Sequence, residues 1–175
     1  MPLSVEVLED EAPYGFDCGR DEQNEHLRNR AVHDQEQRLS RTYLFQEEGL
    51  VASYVTVCMD SLPLTRRERG PAIRYQHVGS LKLAQLGVDM RFQGMGLGIA
   101  AVRFAVRLAQ RVGDVVGCRY LTIDAQPDLV SWYKKQGFKQ NDLRQSQRIA
   151  EAIQHGRDPA VLAVSMRFDL RDHIA

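Results

Sequence analysis

The chain has 175 residues, of which 43% are hydrophobic and 26% are charged, so it can bury one core but is short for two domains. Lys and Arg number 23 and Asp and Glu also number 23, which excludes the overall positive charge typical of dedicated nucleic-acid-binding proteins. No run reaches the roughly 18 uninterrupted apolar residues of a membrane span, and the acidic residues Glu9, Asp10 and Glu11 lie where a signal peptide would be apolar. We expect a single domain over residues 1–175, located in the cytoplasm and without membrane contact.

In the first half of the chain, the spacing of hydrophobic residues predicts several strands and one exposed helix. Apolar and polar residues alternate over residues 3–8, which predicts a half-buried strand. Over residues 22–37, small or apolar residues recur at helical spacing among charges, which predicts an amphipathic helix. Residues 42–46 and 51–57 are expected to form a hairpin, and the arginine-rich residues 64–71 a surface loop.

The second half alternates strands and helices around several glycines. Residues 77–88 are apolar at alternate positions, which predicts a central strand that ends at Asp89. A helix follows Gly98. Three arginines project from its outer face, Arg103, Arg107 and Arg111, and two glycines close it, Gly113 and Gly117. The remaining predicted elements are a strand at 119–125, a helix at 128–136, a polar helix at 145–155 and a last strand at 161–168.

The strongest chemical signal in the chain is a strand, a glycine-rich loop and a helix start in immediate succession, over residues 86–98. Glycines allow a backbone path in which successive N–H groups face one point. The helix start adds unpaired N–H donors and the positive end of the helix dipole. This order predicts an anion site whose natural ligand is a pyrophosphate.

The spacing of the glycines narrows the choice of pyrophosphate ligand. A nucleotide P-loop requires Gly-Lys followed by Ser or Thr, but Ile99, Ala100 and Ala101 follow the last glycine. A dinucleotide fingerprint requires G-x-G-x-x-G, whereas Gly94 and Gly96 are followed by Ile99 where the third glycine would stand. Dinucleotide binding stays open only as an alternative.

The pattern Gln93-x-x-Gly96-x-Gly98 resembles the loop with which GCN5-related N-acetyltransferases (GNAT) hold the pyrophosphate of acetyl-coenzyme A. Trp132-Tyr133 followed by Gly137-Phe138 resembles a helix of the same family. The resemblance implies an α/β fold with a mixed, mostly antiparallel central sheet, flanked by helices, whose central strands splay apart. It also implies acetyl-coenzyme A as cosubstrate, no metal, and these cofactor-binding residues: Leu86, Val88, Arg91, Gln93, Gly94, Met95, Gly96, Leu97 and Gly98.

Further stretches resemble one branch of that family, the toxin-like acetyltransferases that modify the amino group of aminoacyl-tRNA. These stretches are residues 16–19, 24–27, 39–43, 86–89 and 117–125. The resemblance implies an aminoacyl-tRNA acceptor, a small ribbon-helix-helix antitoxin and a homodimer. The chain differs from the branch in its zero net charge and in the polar helix inserted after Asp142.

Tyr133 is the candidate general acid that the resemblance implies. A thiol has a reference pKa near ~8.5 and a phenol about 10, so a phenol can reprotonate a departing thiolate while staying neutral itself. Arg41, Lys134 and Lys135 are the expected phosphate contacts of the substrate.

No general base is evident in the sequence. His77 is the nearest imidazole, although a structural role at a strand edge is its simpler interpretation, and His26 and His33 are expected on a solvated helix face. Two other functions stay open, namely acetylation of a small-molecule or protein amine and a non-catalytic acyl-coenzyme A-binding module.

Overall fold

The structure is a computed structural model that describes residues 3–172; Met1, Pro2 and residues 173–175 lie outside the described residues. Its strands are β1 (Ser4–Val7), β2 (Arg41–Glu47), β3 (Leu50–Pro63), β4 (His77–Val88), β5 (Tyr120–Ala125), β6 (Lys139–Gln140) and β7 (Val164–Asp169). Its α-helices are α1 (Asp21–Glu25), α2 (Ala31–Glu36), α3 (Arg66–Arg69), α4 (Leu97–Val116), α5 (Val130–Lys135) and α6 (Asp142–Gln154). A π-helical segment, His26–Arg30, joins α1 to α2.

The seven strands form one sheet in the order β1-β2-β3-β4-β5-β7-β6. The sheet is mostly antiparallel with one parallel pair, which confirms the predicted mixed α/β class. β1 and β2 pair with Val7 opposite Tyr43, and a bulge interrupts the β2–β3 register between Phe45 and Gln46. Splaying of the central strands stays a prediction.

Contacts divide the described chain into two compact units. The first unit contains residues 3–58 and Leu83–Arg107, and the second contains Met59–Lys82 and residues 108–172. The unit boundaries fall inside β3, β4 and α4, so these elements each contribute residues to both units. The single domain predicted over residues 1–175 stays a prediction.

The core of the first unit packs α1, α2 and the π-helical segment against the sheet. Tyr54 lies at its centre, fully buried, and its ring forms an edge-to-face contact with Phe16 at a centroid distance of 5.4 Å. Its hydroxyl donates to the carbonyl of Gln23 at 2.8 Å, which ties α1 to β3. A Cβ at Gly87 would lie 2.7 Å from the Tyr54 ring, so β4 passes this ring only because position 87 has no side chain.

The second unit has its own core of Leu62, Leu64 and Tyr120, against which Ile73 and Val78 pack. Thr65 and Glu68 form a capping box that starts α3.

Several predicted elements differ from the structure. Residues 64–71 are not simply a surface loop, because they contain α3 and the buried Leu64. Gly113 lies inside α4 rather than at its end, and only Gly117 follows the helix, with a φ of +81°. The last strand begins at Val164 because Pro159–Val161 form a 3-10 turn. By contrast, β4 has the predicted bounds, and Arg103 and Arg107 are exposed on α4 as expected.

His26 corrects the prediction of a solvated histidine face. It is only 6% exposed, and its Nε2 lies 3.1 Å from the Thr56 hydroxyl, which in turn lies 2.7 Å from the Thr42 hydroxyl. Burial and the nearby charge of Arg30 lower the pKa of this imidazole. His33 is exposed as predicted.

Candidate functional site

The site begins where β4 ends, in the first unit. Asp89 follows the strand and is 2% exposed, and its N–H donates to the carbonyl of Ala52 on β3 at 2.9 Å. Its side chain caps the 3-10 turn Met90–Phe92 by accepting from the N–H of Arg91 at 2.9 Å. The chain is therefore turned sharply away from the sheet at a fixed point.

Asp89 and Arg91 form a two-pronged ion pair. The Nε of Arg91 donates to Oδ1 and its Nη2 to Oδ2 of Asp89, both at 2.8 Å. These hydrogen bonds from Arg91 are the main reason that the pKa of Asp89 is lowered to about 2. The pair stiffens the turn that precedes the glycine loop.

A segment of the same unit that is distant in sequence, residues 16–19 (here called the clasp), forms hydrogen bonds with this turn. The N–H of Asp17 donates to Oδ2 of Asp89 at 3.2 Å, and the N–H of Met90 donates to the carbonyl of Asp17 at 2.9 Å. The amide of Gln93 donates to the carbonyls of Cys18 at 3.1 Å and Val88 at 3.0 Å. Gln93 thereby holds both ends of the turn together.

The clasp is itself ordered by local hydrogen bonds. Oδ1 of Asp17 accepts from the N–H of Gly19 at 2.8 Å and from Nδ2 of Asn24 at 2.7 Å, and the first of these bonds is the main reason that the Asp17 pKa is lowered. Oδ1 of Asn24 accepts from the N–H of Cys18 at 3.0 Å. The side-chain Nε2 of Gln23 donates to Oε1 of Gln85 at 3.2 Å, so α1 lies next to β4 just before the turn.

The glycine loop has the open backbone that an anion site requires. Gly94 and Gly96 have φ values of +79° and +84°, and no atom lies within 4 Å of the Cβ that another residue would add at either position. The N–H of Ala100 donates to the carbonyl of Gly96 at 3.1 Å, so the N–H groups between them precede the first helical hydrogen bond of α4. These exposed donors at a helix start suit a diphosphate.

The predicted cofactor-binding residues form a continuous stretch. Leu86 and Val88 are half-buried near the end of β4, and Leu97 and Gly98 are half-buried at the start of α4. The others are exposed: Arg91, Gln93, Gly94, Met95 and Gly96. Gln93 and Arg91 hold the loop in shape through their side chains, and their contact with a ligand stays a prediction.

Tyr133 lies in the second unit, on α5, and is 8% exposed. Its ring packs edge-on against Trp132 at 4.8 Å and Phe138 at 5.6 Å between centroids. Lys134 and Lys135 follow it on the same helix and are exposed. Arg41 is exposed at the start of β2, in the first unit, and His77 is exposed at the start of β4.

The sequence interpretation missed Asp89 and Asp17, which shape the loop. The signal for Asp89 was present, because Asp is a preferred capping residue whose side-chain oxygen accepts from a backbone N–H two or three positions later. No local signal reveals Asp17, which is 72 residues away in the chain. Across residues 3–172, no group of three or more His, Cys, Asp or Glu side chains is arranged to hold a metal ion.

The mixed sheet, with its turn from strand to helix through an open glycine loop, is similar in fold to solved GNAT toxin structures. Solved structures similar to the chain include those of the toxins KacT and AtaT. A tyrosine-to-phenylalanine variant of KacT is 20% identical to the chain, with a TM-score of 0.78 over 98% of this chain and 96% of KacT. No family model and no curated protein matches the sequence.

Two structures of AtaT are similar at comparable levels. AtaT complexed with acetyl-methionyl-tRNAfMet is 26% identical, with a TM-score of 0.71 over 80% of this chain and 88% of AtaT. A tyrosine-to-phenylalanine variant of AtaT, bound to acetyl-CoA and to the C-terminus of the antitoxin AtaR, is 21% identical with a TM-score of 0.74 over 98% and 95%.

Proposed function

We propose that this protein transfers the acetyl group of acetyl-coenzyme A to the α-amino group of an aminoacyl-tRNA, and that it acts as a toxin. The observation that carries the proposal is the open loop at Gly94 and Gly96, which presents main-chain donors at the start of α4. The proposal is supported by the similarity to AtaT, whose complexes contain acetyl-CoA in one case and acetyl-methionyl-tRNA in another.

The residues present fit acetyl-coenzyme A at this position. When bound, acetyl-coenzyme A supplies the acetyl thioester. The main-chain N–H groups between Gln93 and Gly98 would bind its diphosphate, since positive φ at two glycines leaves the loop free of side chains that would block it. Backbone groups of Leu86 and Val88 would pair with the pantetheine arm, and a free N–H there would polarise the thioester carbonyl.

Tyr133 is the proposed general acid. Its phenol O–H would protonate the departing thiolate sulfur, a transfer that the reference pKa values of about 10 and ~8.5 allow at neutral pH. Packing against Trp132 and Phe138 supports this role because it fixes the ring in one orientation.

An α-amine is the proposed acceptor because it needs no dedicated base. Its reference pKa of roughly 7.7–8.0 leaves about a tenth of it neutral at pH 7, whereas a lysine at ~10.4 is neutral in about one molecule in a few thousand. Arg41, Lys134 and Lys135 would contact tRNA phosphates. The proposal includes a homodimer, a cytoplasmic location and a ribbon-helix-helix antitoxin as partner; within residues 3–172, no helix is long and apolar enough to cross a membrane.

The test is incubation of the protein with radiolabelled acetyl-coenzyme A in the presence of charged total tRNA, a protein mixture and small amines. We expect label in the charged tRNA and none in deacylated tRNA. Label in proteins or small amines instead would identify a different acceptor. Tight binding of acetyl-coenzyme A without transfer to any acceptor would indicate a non-catalytic module.

A further inference from the structure

A basic cavity lies within the second unit, apart from the residues assigned above. It has a volume of about 410 Å³ and is lined by α3 and the residues after it, the start of β5, the turn after α5 and the end of β7. Six lining side chains are cationic, Arg67, Arg69, Arg119, Lys139, Arg167 and Arg171, and three are acidic, Glu68, Asp169 and Asp172. The cavity therefore has an excess of three positive charges in a chain whose net charge is zero.

The wall formed by α3 is rigidly attached. Oε1 of Glu68 accepts from Nη1 of Arg167 and from the N–H of Asp142, both at 2.9 Å, while its Oε2 accepts from the N–H of Thr65 at 2.8 Å. The Glu68 side chain is only 3% exposed, and its negative charge is compensated by Arg167 and by these backbone N–H groups. The backbone of α3, which bears Arg67 and Arg69, is thus held beside β7.

A second carboxylate, Asp169, and the Tyr120 ring order the guanidinium groups beside β5 and on β7 that line the cavity. Arg119 donates through Nε and Nη2 to the two oxygens of Asp169 at 3.0 and 2.8 Å. The guanidinium carbons of Arg119 and Arg167 lie 5.3 and 5.7 Å from the centroid of the Tyr120 ring. Guanidinium groups that are already ordered lose little entropy when they bind an anion.

Three cations of the cavity, Arg67, Arg69 and Lys139, form no ion pair with a carboxylate among the described residues, and two of them are exposed. The exposed two are Arg67 and Lys139. Since Tyr120 is only 3% exposed, the cavity presents no aromatic face on which a base could stack. The cavity can therefore attract a negatively charged ligand but cannot recognise a nucleic-acid base. Its cations come from several segments of the chain, so they suit a run of phosphates better than a single phosphate group.

We propose that this cavity binds the phosphodiester backbone of the RNA that carries the acceptor amine. The inference rests on the proposed function for the identity of that RNA. Arg67 and Lys139 contact its phosphates directly, and the ordered guanidinium groups of Arg119 and Arg167 add to the positive field. Binding at this cavity is independent of RNA sequence.

The test uses the full chain and uncharged tRNA, so that binding is measured without acetyl transfer. Affinity is determined by fluorescence anisotropy at several salt concentrations for the wild type and for the double variant Arg67→Gln/Lys139→Gln. The matched control is Arg107→Gln/Arg111→Gln, which removes two exposed arginines from the outer face of α4. Asp172→Asn is a third variant, which removes negative charge from the cavity.

Loss of two phosphate contacts is expected to lower the slope of log K against log salt by roughly 1.4 to 1.8, and to do so equally for different tRNAs. The control keeps the wild-type slope, and Asp172→Asn binds tRNA more tightly. A double variant that keeps its tRNA affinity overturns the proposal, as does one that instead loses binding to polyglutamate, which would indicate an acidic peptide. A wild type that binds tRNA in this way but acetylates none would contradict the proposed function and leave the cavity's role standing.

Discussion

Asp89 and Arg91 are joined by two parallel hydrogen bonds of 2.8 Å, although only one residue separates them in the chain. The carboxylate is 2% exposed and also accepts from the main chain at Asp17 and Arg91, while the Arg91 side chain is half exposed. The buried Asp89 therefore fixes the turn, and the half-exposed Arg91 compensates its negative charge.

Replacement of Asp89 by Asn is expected to lower the free energy of unfolding by about 2 kcal/mol at pH 7, because it removes charge-assisted hydrogen bonds from a buried site. The Asp89 pKa is lowered to about 2 in the fold, so its contribution is complete above the unfolded pKa near ~3.9 and is lost as the pH falls toward 2. Urea unfolding at pH 7 and pH 3 measures this difference. Asp114→Asn, at an exposed position of α4, is the control and should have little effect at either pH.

Gly96→Ala is expected to weaken acetyl-coenzyme A binding. A φ of +84° costs an alanine roughly 1–2 kcal/mol, and relief of that strain moves the loop N–H groups. The control is Gly49→Ala in the β2–β3 turn, where φ is +77° and the added Cβ also meets no atom within 4 Å. Calorimetry should show reduced affinity for Gly96→Ala and wild-type affinity for Gly49→Ala. Equal affinities in both variants would remove the loop from the binding site.

Tyr133→Phe is expected to lower kcat for acetyl transfer by roughly 10²–10⁴-fold, which is the usual contribution of general acid catalysis. Acetyl-coenzyme A affinity and thermal stability should change little, because the ring packing is retained. Tyr75→Phe, at a side chain that is 75% exposed, is the matched control. If transfer survives at the wild-type rate, Tyr133 is a structural residue.

His26 is expected to make stability fall as the pH drops below about 6.5. Burial lowers its pKa, so the unfolded chain binds this proton more readily than the fold does, and acid shifts the balance toward unfolding. His26→Gln should flatten the dependence of the free energy of unfolding on pH between 7 and 5.5. The exposed His33→Gln should leave it as in the wild type.

Local patterns were sufficient to predict most elements of the fold. Alternation over residues 77–88 predicted the bounds of β4, because one face of the strand is buried. The helix predicted after Gly98 is α4, although it begins at Leu97 and continues past Gly113 to Val116. Thr65 and Glu68 have the spacing of a capping box, so α3 could also have been predicted from the sequence.

His26 and Asp17 mark the limits of such patterns. His26 starts the π-helical segment, which changes the angle between successive side chains, so a regular helical projection places it on the wrong face. The contact between Asp17 and Asp89 joins residues far apart in the chain, and no local period records it. Long-range hydrogen bonds of this kind decide the shape of the candidate site.

In the proposed site, the glycine loop would bind its ligand through peptide N–H groups rather than through side chains. Mutations at Met95, whose side chain is 63% exposed, therefore change the surface without changing the donors. Substitutions at Gly94 or Gly96, by contrast, would strain the positive φ angles that orient those donors.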